Sequence, residues 1–174
     1  MKHSIAAVLV LLAVPAVAQQ DGASGNGDPE PPQMTYWHNW TDDEGVSRMT
    51  ECTIEQFELQ SISGDADPQW IGNSYEADVT VQFVAQPVDW VGTWHENPAP
   101  QFVIPTEGSW FVEAMDGTRQ EFGPGDLYFG ADQGTTERDG KVGHLSGTVG
   151  DAPVTLMLVQ FSDAPDGPTP CPFE

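Results

Sequence analysis

Short runs of alternating apolar and polar residues, separated by glycine-containing turns, are the feature that most restricts how this chain can fold. Residues 77–83 place Ala, Val, Val and Phe at every second position, which is the period of a half-buried strand. Residues 109–115 and 118–122 flank Asp116-Gly117, a pair favoured in two-residue hairpin turns because both positions take φ > 0. Many short strands with turns between them are typical of a sandwich or a closed barrel. The pattern therefore predicts an all-β fold.

Further turn and strand signals extend this prediction toward the C-terminus. Residues 123–126, Gly-Pro-Gly-Asp, predict a turn before a short strand at 127–129. Residues 154–161 form a continuous apolar run after a Gly-Asp turn, which indicates a buried strand. Residues 53–60 alone carry a weakly helical pattern. We therefore expect strands throughout, with a short helix only at 53–60.

The charge balance excludes two classes of partner. The 174 residues include 27 Asp and Glu against 5 Lys and Arg, a formal net charge of −22. An acidic surface repels phosphate backbones and anionic lipids, so the composition argues against nucleic-acid binding and membrane docking. The chain is 39% hydrophobic, with 6 Trp and 8 Phe, and can still bury a core of single-domain size.

The chain divides into four segments by composition. Residues 1–18 have the features of a cleaved signal peptide: a polar start, an apolar stretch at 5–14 and an Ala-Val-Ala cleavage site. We therefore expect secretion, to the extracellular space or the periplasm. Residues 19–34 are rich in Gly, Pro and acidic residues and predict a disordered linker. The folded domain is expected at 35–162, followed by a Pro-rich tail at 163–174.

The interpretation of two residue patterns depends on whether the chain is secreted. Cys52 and Cys171 are the two cysteines of the chain, and an oxidising compartment favours a disulfide between them. The chain-entropy model assigns a loop of this length a stabilisation on the order of 4 kcal/mol. Two independent thiols are the alternative. Residues 39–41 form a glycosylation sequon, which has meaning only in a eukaryotic source and is frequent by chance.

Two segments resemble the motifs of the cupin superfamily. The first cupin motif reads HxH, three or four residues, Glu, six residues, Gly. This sequence keeps the spacing with His95, Asn97, Gln101 and Gly108. The second motif is similar to residues 117–126, which end on Pro-Gly-Asp. Its histidine corresponds to His144, after a polar loop at 131–142. The likeness spans residues 35–161.

The resemblance implies a fold and a site. The fold would be a cupin-type antiparallel jelly-roll β-barrel, often a homodimer, with a metal or small ligand in its open mouth. Cupin metal sites join three His and one Glu around iron, manganese, nickel, copper or zinc. Here His95, Gln101 and His144 would be the metal ligands, and Asn97 holds the remaining position. Amides supply oxygen without charge, so this set would hold a divalent cation less tightly than the full one.

Three interpretations of His95 and His144 stay open. They bind a metal weakly, with Gln101 or an extra acid such as Asp132 completing the shell. They donate and accept protons or hydrogen bonds in a metal-free pocket, since histidine titrates near neutral pH. Or they are ordinary interior residues whose hydrogen bonds are satisfied by the protein.

Aromatic residues near the first motif are further candidates. Trp94 and Trp110, with Trp90, would line a ligand pocket or form part of the core. Asp132 and Asn97 are also assigned to the pocket. His38 lies outside both motifs and is expected to be structural or at the surface.

Two classes of function follow from these candidates. One is a metal-dependent oxygenase, isomerase or lyase acting on a small organic molecule. The alternative is a non-catalytic barrel that binds a small ligand, for example a sugar. A structural or interaction role for the acidic surface is the third. The fold does not choose among them, because one barrel supports unrelated functions.

Overall fold

The computed structural model describes residues 30–64, 66–162 and 169–174, and these residues form strands joined by turns and loops, without a helix. The all-β prediction is confirmed. The predicted signal peptide and most of the linker lie outside the described residues. In chain order the strands are β1 Met34–Thr41, β2 Ser47–Ile54, β3 Phe57–Gln60, β4 Gln69–Gly72, β5 Val79–Gln86, β6 Gln101–Glu107, β7 Ser109–Ala114, β8 Arg119–Phe122, β9 Tyr128–Ala131, β10 His144–Val149 and β11 Val154–Phe161.

The strands form three sheets. Six strands pair in the order β2-β1-β9-β6-β11-β5, three in the order β10-β7-β8, and β3 pairs with β4. Every pairing is antiparallel except that of β1 with β9, which is parallel. Because β2 and β5 end the six-stranded sheet, the described strands do not close it into a barrel. Within the described residues, no helix is long and apolar enough to cross a bilayer.

The hairpin predicted around Asp116-Gly117 is present, with a different turn. The backbone N–H of Gly117 donates to the carbonyl oxygen of Ala114 at 3.0 Å. The backbone N–H of Ala114 donates to the carbonyl oxygen of Thr118 at 2.9 Å. Gly117 takes φ 87°, whereas Asp116 does not have a positive φ. This is a type I turn followed by one left-handed glycine, which is the commonest three-residue hairpin loop.

The helical prediction for residues 53–60 is wrong. Its first residues belong to the end of β2, where Ile54 pairs with Met34. Its last residues form β3, where Phe57 pairs with Gly72. Pairing with distant strands overrides the weak local preference. The first strand, β1, starts at Met34, next to the predicted start of the domain at residue 35.

The main core lies between the six-stranded and the three-stranded sheets. It joins residues from the inner faces of both: Met49, Val103, Trp110, Val112, Ala114, Phe122, Tyr128, Val154 and Leu156. At the β6–β7 turn, Gly108 takes φ 76°, and a side chain there would collide with the carbonyl oxygen of Pro153. The motif glycine is therefore explained by close packing of the β10–β11 connection.

A second cluster lies on the other side of the six-stranded sheet, under the C-terminal tail. The predicted disulfide joins Cys52 and Cys171, with 5.3 Å between their Cα atoms. Phe173 holds the tail in place beside this disulfide. It is 4% exposed, and its ring lies 4.8 Å from that of Phe129 and 5.6 Å from that of Tyr36.

Candidate functional site

A cavity of about 110 Å³ opens between the two larger sheets. One part of its wall is apolar and comes from both sheets and the β5–β6 loop: Val84, Trp90, Val103, Trp110, Leu156 and Leu158. The other part is polar: Gln86, His95, Asn97, Gln101, His144 and Ser146. The cavity thus collects six of the candidate residues, namely Trp90, His95, Asn97, Gln101, Trp110 and His144.

The two histidines of the motifs are adjacent. The backbones of His95 and His144 form an antiparallel bridge, with N–H to O distances of 3.0 and 2.8 Å. Their ring centroids lie 4.5 Å apart. Gly143 makes this approach possible, because it takes φ 62° and a Cβ there would collide with the backbone of His95. His144 is 2% exposed, whereas His95 is solvent-exposed.

Both rings are fixed through Nδ1. His95 Nδ1 donates to the carbonyl oxygen of Thr93, and His144 Nδ1 donates to Asp132 Oδ2, each at 2.7 Å. In the neutral rings Nε2 is therefore the acceptor nitrogen. Within the described residues neither Nε2 takes part in a hydrogen bond. The cavity wall thus carries two oriented imidazoles with Nε2 available to a ligand.

Asp132 lies behind His144 and does not line the cavity. Its carboxylate is fully buried and accepts from the backbone amide of Asn97 at 2.9 Å, from Asn97 Nδ2, from Asn39 Nδ2 and from His144. Burial alone would raise the pKa of Asp132, but the hydrogen bonds from His144 and Asn97 outweigh it and hold that pKa below the usual range. Asp132 is therefore a carboxylate that orients His144.

Asn97 and Gln101 form an amide pair in the cavity wall. Gln101 Nε2 donates to Asn97 Oδ1, and Gln101 Oε1 accepts from Gln160 Nε2 at 2.9 Å. Asn97 Nδ2 donates to Asp132 and lies 3.4 Å from the hydroxyl oxygen of Tyr128. Both amide oxygens that could have been metal ligands are thus already engaged by N–H donors.

The donor set does not fit a resident divalent metal. Two imidazoles converge, but no carboxylate of the described residues lines the cavity. The amide oxygens of Asn97 and Gln101 already accept hydrogen bonds from Gln101 and Gln160. Among the described residues, the one group of three or more His, Cys, Asp or Glu close enough to share an ion is Cys52, Cys171 and Glu174. Its two cysteines form the disulfide, so their thiolates are not free to ligate. First-row metals are held best by imidazoles supplemented with carboxylate charge.

Two polar atoms in the cavity-lining residues are left without partners. Trp110 Nε1 and Gln86 Oε1 are buried and make no hydrogen bond within the described part of the chain. A buried donor or acceptor without a partner costs about 1–3 kcal/mol. Gln86 was not predicted as a site residue. The sequence pattern that could have identified it is the alternation of β5, which places Val84 and Gln86 on the same face of the strand.

Trp94 lies outside the cavity wall. Its ring instead packs under Lys141, whose Nζ lies 4.6 Å from the ring centroid. The sequon residue Asn39 is fully buried, and its Nδ2 donates to Tyr128 at 3.0 Å and to Asp132 at 3.1 Å. An N-linked glycan on Asn39 is incompatible with these contacts, so the sequon is a chance match.

His38 is structural and is buried against Phe129, with ring centroids 5.2 Å apart. Its Nδ1 accepts from the amide of Cys171 at 3.2 Å, and its Nε2 has no partner within the described residues. Burial lowers the pKa of His38 to about 4, although the charge of Asp132 acts in the opposite direction. The folded protein therefore holds this imidazole neutral.

We expect His38 to make the fold sensitive to acid. The unfolded chain takes up a proton near pH 6.5 and the folded one near pH 4, so stability is complete above pH 6.5 and falls as the pH drops toward 4. The loss amounts to about 3 kcal/mol over that window. Urea unfolding at a series of pH values should show this slope in the wild type and a shallower slope in His38→Gln. Equal slopes would contradict a neutral buried His38.

Comparison with known proteins gives a distant structural likeness and no family. No protein-family model matches the sequence, and no curated protein matches it at a significant level. The chain is similar to the crystal structure of protein NMB1881 from Neisseria meningitidis, with a TM-score of 0.36 and 15% sequence identity. The likeness covers 53% of this chain and 89% of that one. A TM-score this low adds nothing to the interpretation of the site.

Proposed function

We propose that this protein binds a small polar organic molecule in the cavity between its two larger sheets, without a resident metal. The observation that carries the proposal is a set of uncommitted polar atoms in cavity-lining residues. His144 Nε2 is a ring nitrogen oriented by Asp132, Trp110 Nε1 is a buried donor, and Gln86 Oε1 is a buried acceptor. Binding sites of this kind combine an apolar wall with a few fixed polar groups.

The cavity limits the size and chemistry of the ligand. An engineered cavity of about 150 Å³ holds benzene, so this smaller one suits a compound of roughly five non-hydrogen atoms, or the end of a longer one. A ligand that contacts the ring nitrogens of His95 and His144 must donate to an unprotonated nitrogen or accept from a protonated one. Hydroxyl and protonated carboxyl groups do both. Small hydroxy acids, carboxylic acids and polyols are therefore the ligand classes proposed.

The donor set favours this function over a metal-dependent oxygenase, isomerase or lyase. Catalytic metal sites usually join at least three imidazole or carboxylate ligands. Here His95 and His144 line the cavity, and Asp132 is held behind His144 by four donors. We propose in addition that the two packed sheets are a divergent cupin-type jelly roll. We propose that the protein acts after secretion, as its N-terminal sequence and its disulfide favour.

Ligand binding is testable by thermal unfolding with a panel of two- to four-carbon hydroxy acids, carboxylic acids and polyols. A compound present at about 100 times its Kd stabilises the fold by about 2.7 kcal/mol. We expect at least one compound to raise the Tm and to shift the indole N–H signal of Trp110 in ¹H–¹⁵N spectra. Trp110→Phe and His144→Asn should each weaken this binding at least tenfold.

Trp40→Phe is the matched control. Its indole N–H donates to Thr50, away from the cavity, at 3.0 Å. Trp40→Phe should have a lower Tm than the wild type, but the ligand should raise its Tm by the same amount. Stabilisation that survives both cavity substitutions, or a panel without any binder, would overturn the proposal. Stoichiometric cobalt binding that depends on both His95 and His144 would show that the site holds a metal after all.

A further inference from the structure

We infer that the two histidines of the cavity transfer protons at a carbon atom of a small α-hydroxy aldehyde or ketone. His144 is the general base of this reaction and His95 is the general acid. The inference rests on the proposed function, because the substrate occupies the same cavity. An α-hydroxy aldehyde or ketone carries the hydroxyl group of the ligands proposed above, together with a carbonyl group that makes the neighbouring C–H bond acidic.

His144 has the surroundings that a histidine needs as a general base. Its Nδ1 donates to Oδ2 of Asp132 at 2.7 Å, so the lone pair of the neutral ring is at Nε2. Asp132 is fully buried and is also held by Asn39 and Asn97. A fixed carboxylate behind the ring orients it and stabilises the imidazolium that forms when Nε2 takes a proton. Asp132 is therefore a positioning residue for the base.

His95 is a second proton carrier next to the first. The ring centroids of His95 and His144 lie 4.5 Å apart, and both side chains line the cavity. The Nδ1 of His95 donates to the carbonyl oxygen of Thr93, which leaves Nε2 for a substrate. His95 is exposed to solvent and can exchange its proton with water. Because histidine is present in both protonation states near neutral pH, one ring can take a proton while the other gives one.

The backbone sets the distance between the two rings. His95 and His144 exchange two backbone hydrogen bonds, and Gly143 allows this close approach because a Cβ there would collide with the backbone of His95. Proton transfer between a substrate and two side chains depends on such fixed positions. The pairing of the rings is thus a property of the fold and does not depend on flexible side chains alone.

The rest of the cavity wall suits a small carbonyl compound. Ser146 lies two residues after His144 on β10, on the same face of the strand, and also lines the cavity. Its hydroxyl group can donate to a carbonyl oxygen. The apolar side chains of Val103, Leu156 and Leu158 restrict water on the other side of the cavity, which strengthens these polar interactions.

The proposed step conserves atoms and electrons. Nε2 of His144 takes the proton of the C–H bond next to the carbonyl group, and the electron pair of that bond forms the C=C bond of an enediol. The π electron pair of the carbonyl group moves to oxygen, which receives a proton from Nε2 of protonated His95. When His144 returns a proton to either carbon and His95 takes back a hydroxyl proton, a carbonyl compound forms again and both rings regain their starting states.

Exchange of carbon-bound hydrogen with solvent tests this inference. Glycolaldehyde, hydroxyacetone and dihydroxyacetone are incubated with the purified protein in D₂O, and ¹H NMR follows the loss of the C–H signals next to the carbonyl group. We expect the wild type to exchange at least one compound about 100 times faster than the same concentration of free imidazole does. The Tm of the same samples shows whether each compound binds.

Three substitutions test the assigned roles. His144→Gln should lower the exchange rate to that of the imidazole sample. His95→Gln should lower it at least tenfold, and this exposed position keeps the test informative if His144→Gln does not fold, as judged by circular dichroism. Asp132→Asn should lower the exchange rate at least tenfold while the Kd obtained from the Tm shifts stays within about twofold, a separation that a purely structural role would not produce.

His38→Gln is the matched control, because it removes a histidine that does not line the cavity. It should exchange the substrate at the wild-type rate. A compound that raises the Tm but exchanges no faster than with free imidazole would overturn the inference and leave ligand binding in place. Exchange that survives in both His144→Gln and His95→Gln would also overturn it. If none of the three compounds binds or exchanges, the inference is wrong, and the panel of hydroxy acids and polyols still tests the proposed function by itself.

Discussion

Replacing Asp132 by alanine is expected to lower the free energy of unfolding by about 3–5 kcal/mol, the largest effect of any substitution at the site. The carboxylate is fully buried and accepts hydrogen bonds from Asn39, Asn97 and His144. Truncation leaves these donors buried without an acceptor, and each such group carries a desolvation cost. It also removes the group that fixes the orientation of His144.

Urea unfolding at pH 7 measures this effect, with Asp116→Ala as the control. Asp116 is an exposed turn residue whose carboxylate accepts from the amide of Thr118 at 2.8 Å. Its removal should cost well under half as much. Equal costs for the two substitutions would show that the Asp132 network adds nothing to stability.

The pH dependence separates a charged Asp132 from a neutral one. Its pKa in the folded protein lies below that of the unfolded chain, so its stabilisation is present above pH 3.8 and is lost as the pH falls through the folded pKa. Asp132→Asn keeps the size and shape of the side chain. Its stability should no longer show the part of the loss at acid pH that comes from protonation of Asp132. His144 in the same variant should give altered imidazole nitrogen shifts, because its Nδ1 partner becomes an amide.

Local patterns predicted much of the fold, because strands and tight turns leave signals within a few residues. The hairpin at Asp116-Gly117 and the strand at 154–161 are present where period and turn chemistry place them. The turn type was not predictable, since it depends on how β7 and β8 twist. Which side of β5 is buried was also out of reach, because alternation gives two faces and only the packing of the sheets chooses between them.

The residues of the candidate site were likewise predicted only in part. The motif spacing drew attention to His95 and His144, and the backbone bridge between β10 and the β5–β6 loop places them together. The orienting role of Asp132 depends on a contact with His144 across a loop, which spacing does not encode. Gln86 was missed because the alternation of β5 places it on the same face as Val84 but does not show which face of the strand lines the cavity.

Loss of the Cys52–Cys171 disulfide is the second large effect expected. The bond closes a loop with a sequence separation of 119, for which the chain-entropy model gives on the order of 4 to 5 kcal/mol. Removing a native disulfide from a small secreted domain typically costs about 2–5 kcal/mol. We expect the Cys52→Ala, Cys171→Ala double variant to unfold at correspondingly lower urea concentration, with a Tm that no longer responds to reducing agent.

The bond should also act in the folded state, by holding Phe173 against the sheet. Phe173→Ala is expected to cost about 3 kcal/mol when the disulfide is intact, in the range of buried Phe truncations. Without the disulfide the cost should be markedly smaller, because docking Phe173 then requires ordering of a free tail. Phe122→Ala, in the core between the sheets, is the matched control and should cost the same in both backgrounds. An undiminished cost for Phe173→Ala in the cysteine-free chain would mean that the bond acts through the unfolded state alone, and that the aromatic cluster around Phe129 suffices to hold the tail in place.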